Sequence, residues 1–144
     1  MNKTKVLIVE ADVTASRLLA LGLHKTGTFE VKVENDATRA LTSTRQFAPD
    51  VILMDGCMPG ADGGDVADEI HQDFDFKATP IIFLTSPASG REVNTQAVQR
   101  GGCECLPKPV SLEQVIACID RHWMRQTTAI SDATVCLAVP WATH

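Results

Sequence analysis

The chain has 144 residues, 44% hydrophobic and 22% charged, which fits one globular domain able to bury a core without staples. Its net charge of -5, with no basic run and no basic stripe interleaved with aromatics, argues against direct nucleic-acid binding. No apolar run reaches the ~20 residues that a bilayer crossing needs, and the start of the chain lacks the pattern of a signal peptide, so membrane insertion is not expected and a cytoplasmic location is.

In chain order, Lys5 to Val9 is a continuous apolar run and the first predicted strand. Val13 to Lys25, rich in leucine and stopped by Gly27, predicts a helix. Phe29 to Val33 alternates apolar and polar residues, as an exposed edge strand does. Asp36 is placed to cap a helix running to about Phe47, with Ala37, Ala40 and Leu41 inward. Val51 to Met54 is apolar throughout, so it is expected to be buried on both faces. After the turn-rich MPGADGG, a short helix is predicted over Asp65 to Asp73, with Val66 and Ile70 on its inner face. Ile81 to Leu84 is a second fully buried strand, Gly90 to Arg100 a polar helix, and Cys103 to Leu106 a short strand. Ser111 opens the last helix, with Gln114 in capping-box position and a stripe of Leu112, Val115, Ile116, Ile119 and Trp123.

Strands alternating with helices imply an α/β fold: one parallel sheet with helices on both faces. The domain is expected over residues 1–125. Residues 126–144 form a tail outside the plan, too short for an output domain.

Ligands of open parallel sheets sit beyond the carboxyl ends of the strands. That rule selects Glu10 and Asp12 after the first strand, Asp55 after the third, Thr85 and Ser86 after the fourth, and Lys108 after the fifth. Each alone has a plain explanation. An Asp after a strand is usually a turn or cap residue, Glu10 and Asp12 suit the start of a helix, and a lone lysine is usually a solvated charge. Their joint placement at four strand ends has a chemical logic. Magnesium takes one or two carboxylates plus oxygen from water and phosphate, a carboxylate can attack phosphorus, and an ammonium offsets charge on the transferring group.

PDVILMDGCMPGADGG resembles the phosphoacceptor segment of response-regulator receiver domains. KVLIVEAD, PIIFLTS and LPKPV resemble their acidic first strand end, their switch-hydroxyl strand and their Lys-Pro step. The resemblance covers about residues 3 to 125 and implies a flavodoxin-like (βα)5 sheet of order 2-1-3-4-5, with a cis bond before Pro109. It implies Asp55 as phosphoacceptor, Thr85 as switch hydroxyl and Lys108 as the phosphoryl-contacting amine. Magnesium would be held by Glu10, Asp55 and the carbonyl of Cys57; because Ala11 stands where a second acid is usual and Asp12 falls one residue late, the expectation is either weakened metal binding or a site rebuilt with Glu10 and Asp12. Cys105 stands where the family's aromatic partner of the switch hydroxyl is usual.

The implied partners are a sensor histidine kinase or histidine phosphotransfer protein and a downstream protein target, with homodimerisation left open. The implied chemistry is phosphorylation and hydrolysis of the chain's own Asp55 rather than turnover of a substrate. A pseudo-receiver that binds partners without phosphorylation is the alternative, motivated by Ala11 and Cys105. A hydrolase working through an aspartyl intermediate is disfavoured by Cys57, where such enzymes usually place a second acid. The five cysteines, Cys57, Cys103, Cys105, Cys118 and Cys136, suggest reduced thiols. Cys103 and Cys105 share one strand face and are expected to be buried packing thiols. His24, His71, His122 and His144 are scattered, and none is expected to be catalytic.

Overall fold

The computed structural model describes residues 3–86 and 103–122. The predicted helix over Gly90 to Arg100, Trp123 and the tail lie outside the described residues.

Five parallel strands form one sheet: β1 (Thr4–Val9), β2 (Phe29–Glu34), β3 (Val51–Asp55), β6 (Ile81–Thr85) and β7 (Cys103–Pro107), in the order β2-β1-β3-β6-β7. This is the expected 2-1-3-4-5 order once the two-residue strands β4 (Cys57–Met58) and β5 (Ala61–Asp62) are set aside as a separate antiparallel hairpin. The hairpin was not expected from the sequence. Gly60 makes its turn at φ +72°, a conformation in which any Cβ is strained.

The helices are α1 (Val13–Lys25), α2 (Ala40–Phe47), α3 (Gly63–Gln72) and α4 (residues 112–122). Two boundaries differ from expectation. Asp36 caps a 3-10 turn, Ala37–Arg39, before α2 begins. α3 starts at Gly63, not Asp65, because Asp62 accepts hydrogen bonds from the backbone N–H groups of Gly64 (2.7 Å) and Asp65 (3.3 Å). The capping box of α4 forms as expected: Gln114 N–H donates to Ser111 Oγ, and Ser111 N–H to Gln114 Oε1.

The unbroken apolar runs of β1, β3 and β6 follow from covering both faces. Alternate side chains go to opposite sides. Leu7, Val9, Ile52, Met54, Ile81 and Phe83 pack with Ala40, Ala67 and Ile70 under α2 and α3. Val6, Ile8, Val51, Leu53 and Ile82 pack with Leu23, Val115 and Ile119 under α1 and α4. Truncating one such side chain to alanine typically costs ~2–5 kcal/mol. The central strands are thus a rigid base for whatever their ends carry. Among the described residues no helix is long and apolar enough to cross a membrane.

Candidate functional site

The register of the sheet brings distant residues together. Val9 pairs with Met54, so Glu10 and Asp55 follow side by side. Asp55 pairs with Leu84, and Thr85 with Pro107, so Lys108 emerges from the next strand over. Lys108 N–H donates to the Thr85 carbonyl at 2.6 Å, extending the ladder by one residue. The bond between Lys108 and Pro109 is cis, as the resemblance implied.

The Lys108 ammonium then lies 3.4 Å from Glu10 Oε1 and 3.4 Å from Asp55 Oδ1. Glu10 and Asp55 are buried, with 5% and 7% of their surface exposed. Two buried carboxylates facing one ammonium leave surplus negative charge at the edge of the sheet. Burial above all, and then the adjoining Asp55 carboxyl, push the Glu10 pKa up to about 7, although Lys108 pulls it down. Glu10 Oε2 is buried and meets no hydrogen-bond donor. An orphaned carboxylate oxygen in an over-acidic pocket fits a hard cation with oxygen ligands.

The backbone around Asp55 is tightly fixed. Cys57 N–H donates to Asp55 Oδ1 at 3.2 Å, and Gly56 N–H to the Leu84 carbonyl at 2.9 Å. Gly63 N–H reaches the Gly56 carbonyl at 3.0 Å, and a Cβ on Gly63 would sit 2.4 Å from the Asp55 carbonyl oxygen. Only glycine lets α3 begin so close behind Asp55. On the other flank, Asn35 Nδ2 donates to the Glu10 carbonyl (2.7 Å) and to Ser16 Oγ (2.9 Å), tying the loop after β1 to α1.

The remaining sequence candidates are placed differently. Asp12 caps α1, its Oδ1 accepting from Ala15 N–H at 3.0 Å, and lines the cleft beside Glu10 and Lys108. Thr85 Oγ1 points at the Leu106 carbonyl, 3.5 Å away, the outer limit of a hydrogen bond. Cys105 is exposed, which corrects the expectation of a buried packing thiol. It lies on β7, the edge strand of the sheet among the described residues. An open cleft of about 780 Å³ leads from Glu10 and Lys108 between α1 and the start of α4, past Leu18, Leu19, Val110 and Leu112. Val13, Leu18 and Leu21 leave large apolar surface exposed on α1.

A second polar cluster was not found from sequence. Glu104 on β7, with Cys118 and His122 on α4, bring a carboxylate oxygen, a thiol and a ring nitrogen within 4.8 Å of one another. The Cys118 thiol donates to Glu104 Oε2, which also accepts from Arg121 at 2.7 Å. Those contacts hold the Glu104 pKa below its usual value, while burial and the Glu104 carboxylate push the Cys118 thiol up to about 12. The available signal was the helical spacing: Cys118 and His122 fall on the same inner face as Val115 and Ile119.

A doubly wound parallel sheet with a buried acid pair and an amine at its carboxyl edge defines a flavodoxin-like α/β protein. A family model described as response regulator receiver domain matches residues 6–120, and the chain belongs to that family, the receivers of two-component signalling.

The transcriptional regulatory protein ResD of Bacillus subtilis is 35% identical over 116 residues, covering 80% of this chain and 46% of ResD. The DNA-binding response regulator MtrA of Mycobacterium tuberculosis is 29% identical over 115 residues, covering 80% and 48% respectively. The chain therefore spans about half the length of these curated relatives. Among solved structures, the chemotaxis protein CheY4 of Vibrio cholerae is similar, with a TM-score of 0.71 and 27% identity, covering 83% of this chain and 98% of that one.

Proposed function

We propose that the chain is a phosphoryl-accepting receiver in which Asp55 is the nucleophile. The observation that carries this reading is the Lys108 ammonium 3.4 Å from both the Asp55 and Glu10 carboxylates at the strand ends. The Asp55 carboxylate attacks the phosphorus of a phosphohistidine donor, and the donor imidazole leaves with the bonding pair. Lys108 offsets the charge that develops on the transferring oxygens. Thr85 swings its hydroxyl from the Leu106 carbonyl toward the new phosphoryl group.

Magnesium suits Glu10, Asp55 and the Cys57 carbonyl, where it supplies charge neutralisation at the phosphoryl oxygens. Asp12 holds its cap on α1 through Oδ1 and has only Oδ2 to offer that site, so weak affinity is expected. The donor is a histidine kinase or histidine phosphotransfer protein, and the exposed apolar residues of α1 beside the cleft suit its approach. The shifted equilibrium of the phosphorylated chain then serves a downstream protein.

Acetyl phosphate with magnesium should add one phosphoryl mass to the native chain and none to Asp55→Asn, read by intact-mass spectrometry. An unmodified native chain, or equal modification of the variant, ends this reading.

A second reading has one observation in its favour: Asp12 is engaged as a helix cap, and Ala11 offers no carboxylate in its place. The chain would then be a phosphorylation-independent binding module. It predicts no magnesium-dependent NMR shifts around Asp55 and partner affinity unchanged by Asp55→Asn.

A further inference from the structure

We propose that Glu104, Cys118 and His122 form a binding site for one zinc-class cation, which pins α4 to edge strand β7.

The donor set is the first argument. A thiolate, an imidazole and a carboxylate are three of the ligand types that zinc takes, and three protein ligands with a fourth position open to solvent is a common arrangement. Two of the three sit one helical turn apart on α4, so a single rigid element fixes their spacing. The third comes from a strand hydrogen-bonded into the sheet, where Glu104 pairs with Ile82.

The geometry is the second argument. The three ligating atoms lie within 4.8 Å of one another. His122 Nε2 stands 3.9 Å from Glu104 Oε2. A tetrahedral zinc with bonds of ~2.0–2.3 Å needs its ligand atoms roughly 3.3–3.7 Å apart. Side-chain adjustments of about half an ångström to one ångström meet that need, with the direct contact between Cys118 and Glu104 opening as the cation enters.

The surroundings are the third argument. Cys118 is fully buried and the His122 side chain is 5% exposed, whereas Glu104 is 29% exposed and gives the site its opening to solvent. Arg121 donates to Glu104 at 2.7 Å and is placed as the hydrogen-bond partner that orients a ligating carboxylate. On binding, the Cys118 thiol loses its proton to solvent and the sulfur lone pair forms the bond to the cation. The thiolate and carboxylate charges balance the divalent ion.

The site is separate from the Asp55 pocket. Glu104 is four residues before Lys108 on β7, about 13 Å along the strand at ~3.3 Å per residue. None of the three residues belongs to the proposed phosphorylation chemistry, so either reading stands or falls without the other. A cation here joins the last described turn of α4 to the strand that leads to Lys108.

The test is titration of the reduced native chain with zinc against a chromogenic chelator, and with cadmium while watching ultraviolet cadmium–thiolate charge-transfer absorption. One equivalent of zinc and a cadmium–thiolate band are expected, with the melting temperature raised by roughly 10 °C when free zinc is 100 times its Kd. Cys118→Ser should abolish the band. His122→Gln should weaken zinc by ~100-fold and Glu104→Gln by ~10-fold, while Cys105→Ser leaves affinity unchanged. Absence of the band from the native chain overturns the proposal, and that arm needs no variant to fold. Zinc affinity unaltered by His122→Gln, or a band that survives Cys118→Ser, overturns it as well.

Discussion

Glu10 and Glu104 are the same residue type on the same sheet, yet folding drives their carboxyls in opposite directions. Glu10 sits beyond the carboxyl end of β1, buried against a second carboxyl with one shared ammonium, and its pKa rises to about 7. Glu104 sits near the start of β7, partly exposed, with a thiol and a guanidinium donating to one oxygen, and its pKa falls. The difference lies first in burial, which dominates at Glu10, and then in the hydrogen-bond donors, which dominate at Glu104. The start of β7 gives its carboxylate two donors on one oxygen. The edge that carries Asp55 has one ammonium for two carboxyls, a destabilisation that protonation of Glu10 relieves.

The sharpest way to break this contrast is to remove the shared ammonium. Lys108→Met should destabilise the metal-free chain by ~2 kcal/mol at pH 8, discounted from the ~3–5 kcal/mol of a fully buried pair because the lysine side chain is 30% exposed. At pH 5, where Glu10 takes up a proton, the cost should fall below ~1 kcal/mol. Urea unfolding at both pH values reads this; an equal cost at both denies the crowding of charge.

Asp55→Asn tests the same crowding from the other side and should stabilise the chain by ~1 kcal/mol at pH 8. The sign follows from Glu10. Its folded pKa, about 7, lies above the unfolded value of 4.5, so the folded state holds the extra proton between them. Its contribution is complete below about pH 4.5 and is lost as pH rises through about 7, bounded at roughly 3 kcal/mol. The native chain should therefore lose stability across that window and Asp55→Asn should lose less, in matched denaturation series without divalent ions. Parallel curves would refute the assignment.

Glu104→Gln should have the smallest effect, under ~1 kcal/mol at pH 7 because the group is partly exposed. Here the folded pKa lies below 4.5, so the carboxylate's contribution is present above that value and lost as pH falls through the lower one. The difference between variant and native chain should shrink as thermal melts are taken below pH 4.5; a gap that stays constant into acid assigns it to packing instead.

Much of the Asp55 edge was legible because two simple signals agree there. Apolar runs mark β1, β3 and β6, and the residues just past them are the polar ones. The start of α3 was missed because Gly63 and Gly64 look like turn residues, whereas here they let a helix begin against the Asp55 backbone. Asp12 was ambiguous between ligand and cap because either role asks for a carboxylate at that position. The exposure of Cys105 depends on β7 being the edge strand, which follows from strand order and not from local sequence. The Glu104 cluster joins a strand residue to a helix face, a proximity that no local spacing encodes.

The close seat of Gly63 behind Asp55 has a mechanical consequence. On that flank, backbone meets backbone with no side chain to yield, so Asp55 stands on an anvil. On the opposite flank the Thr85 hydroxyl is held by one long contact and Lys108 by a flexible stem. Bulk or charge added to Asp55 is therefore taken up on the compliant side, toward β6 and β7, and not toward α3.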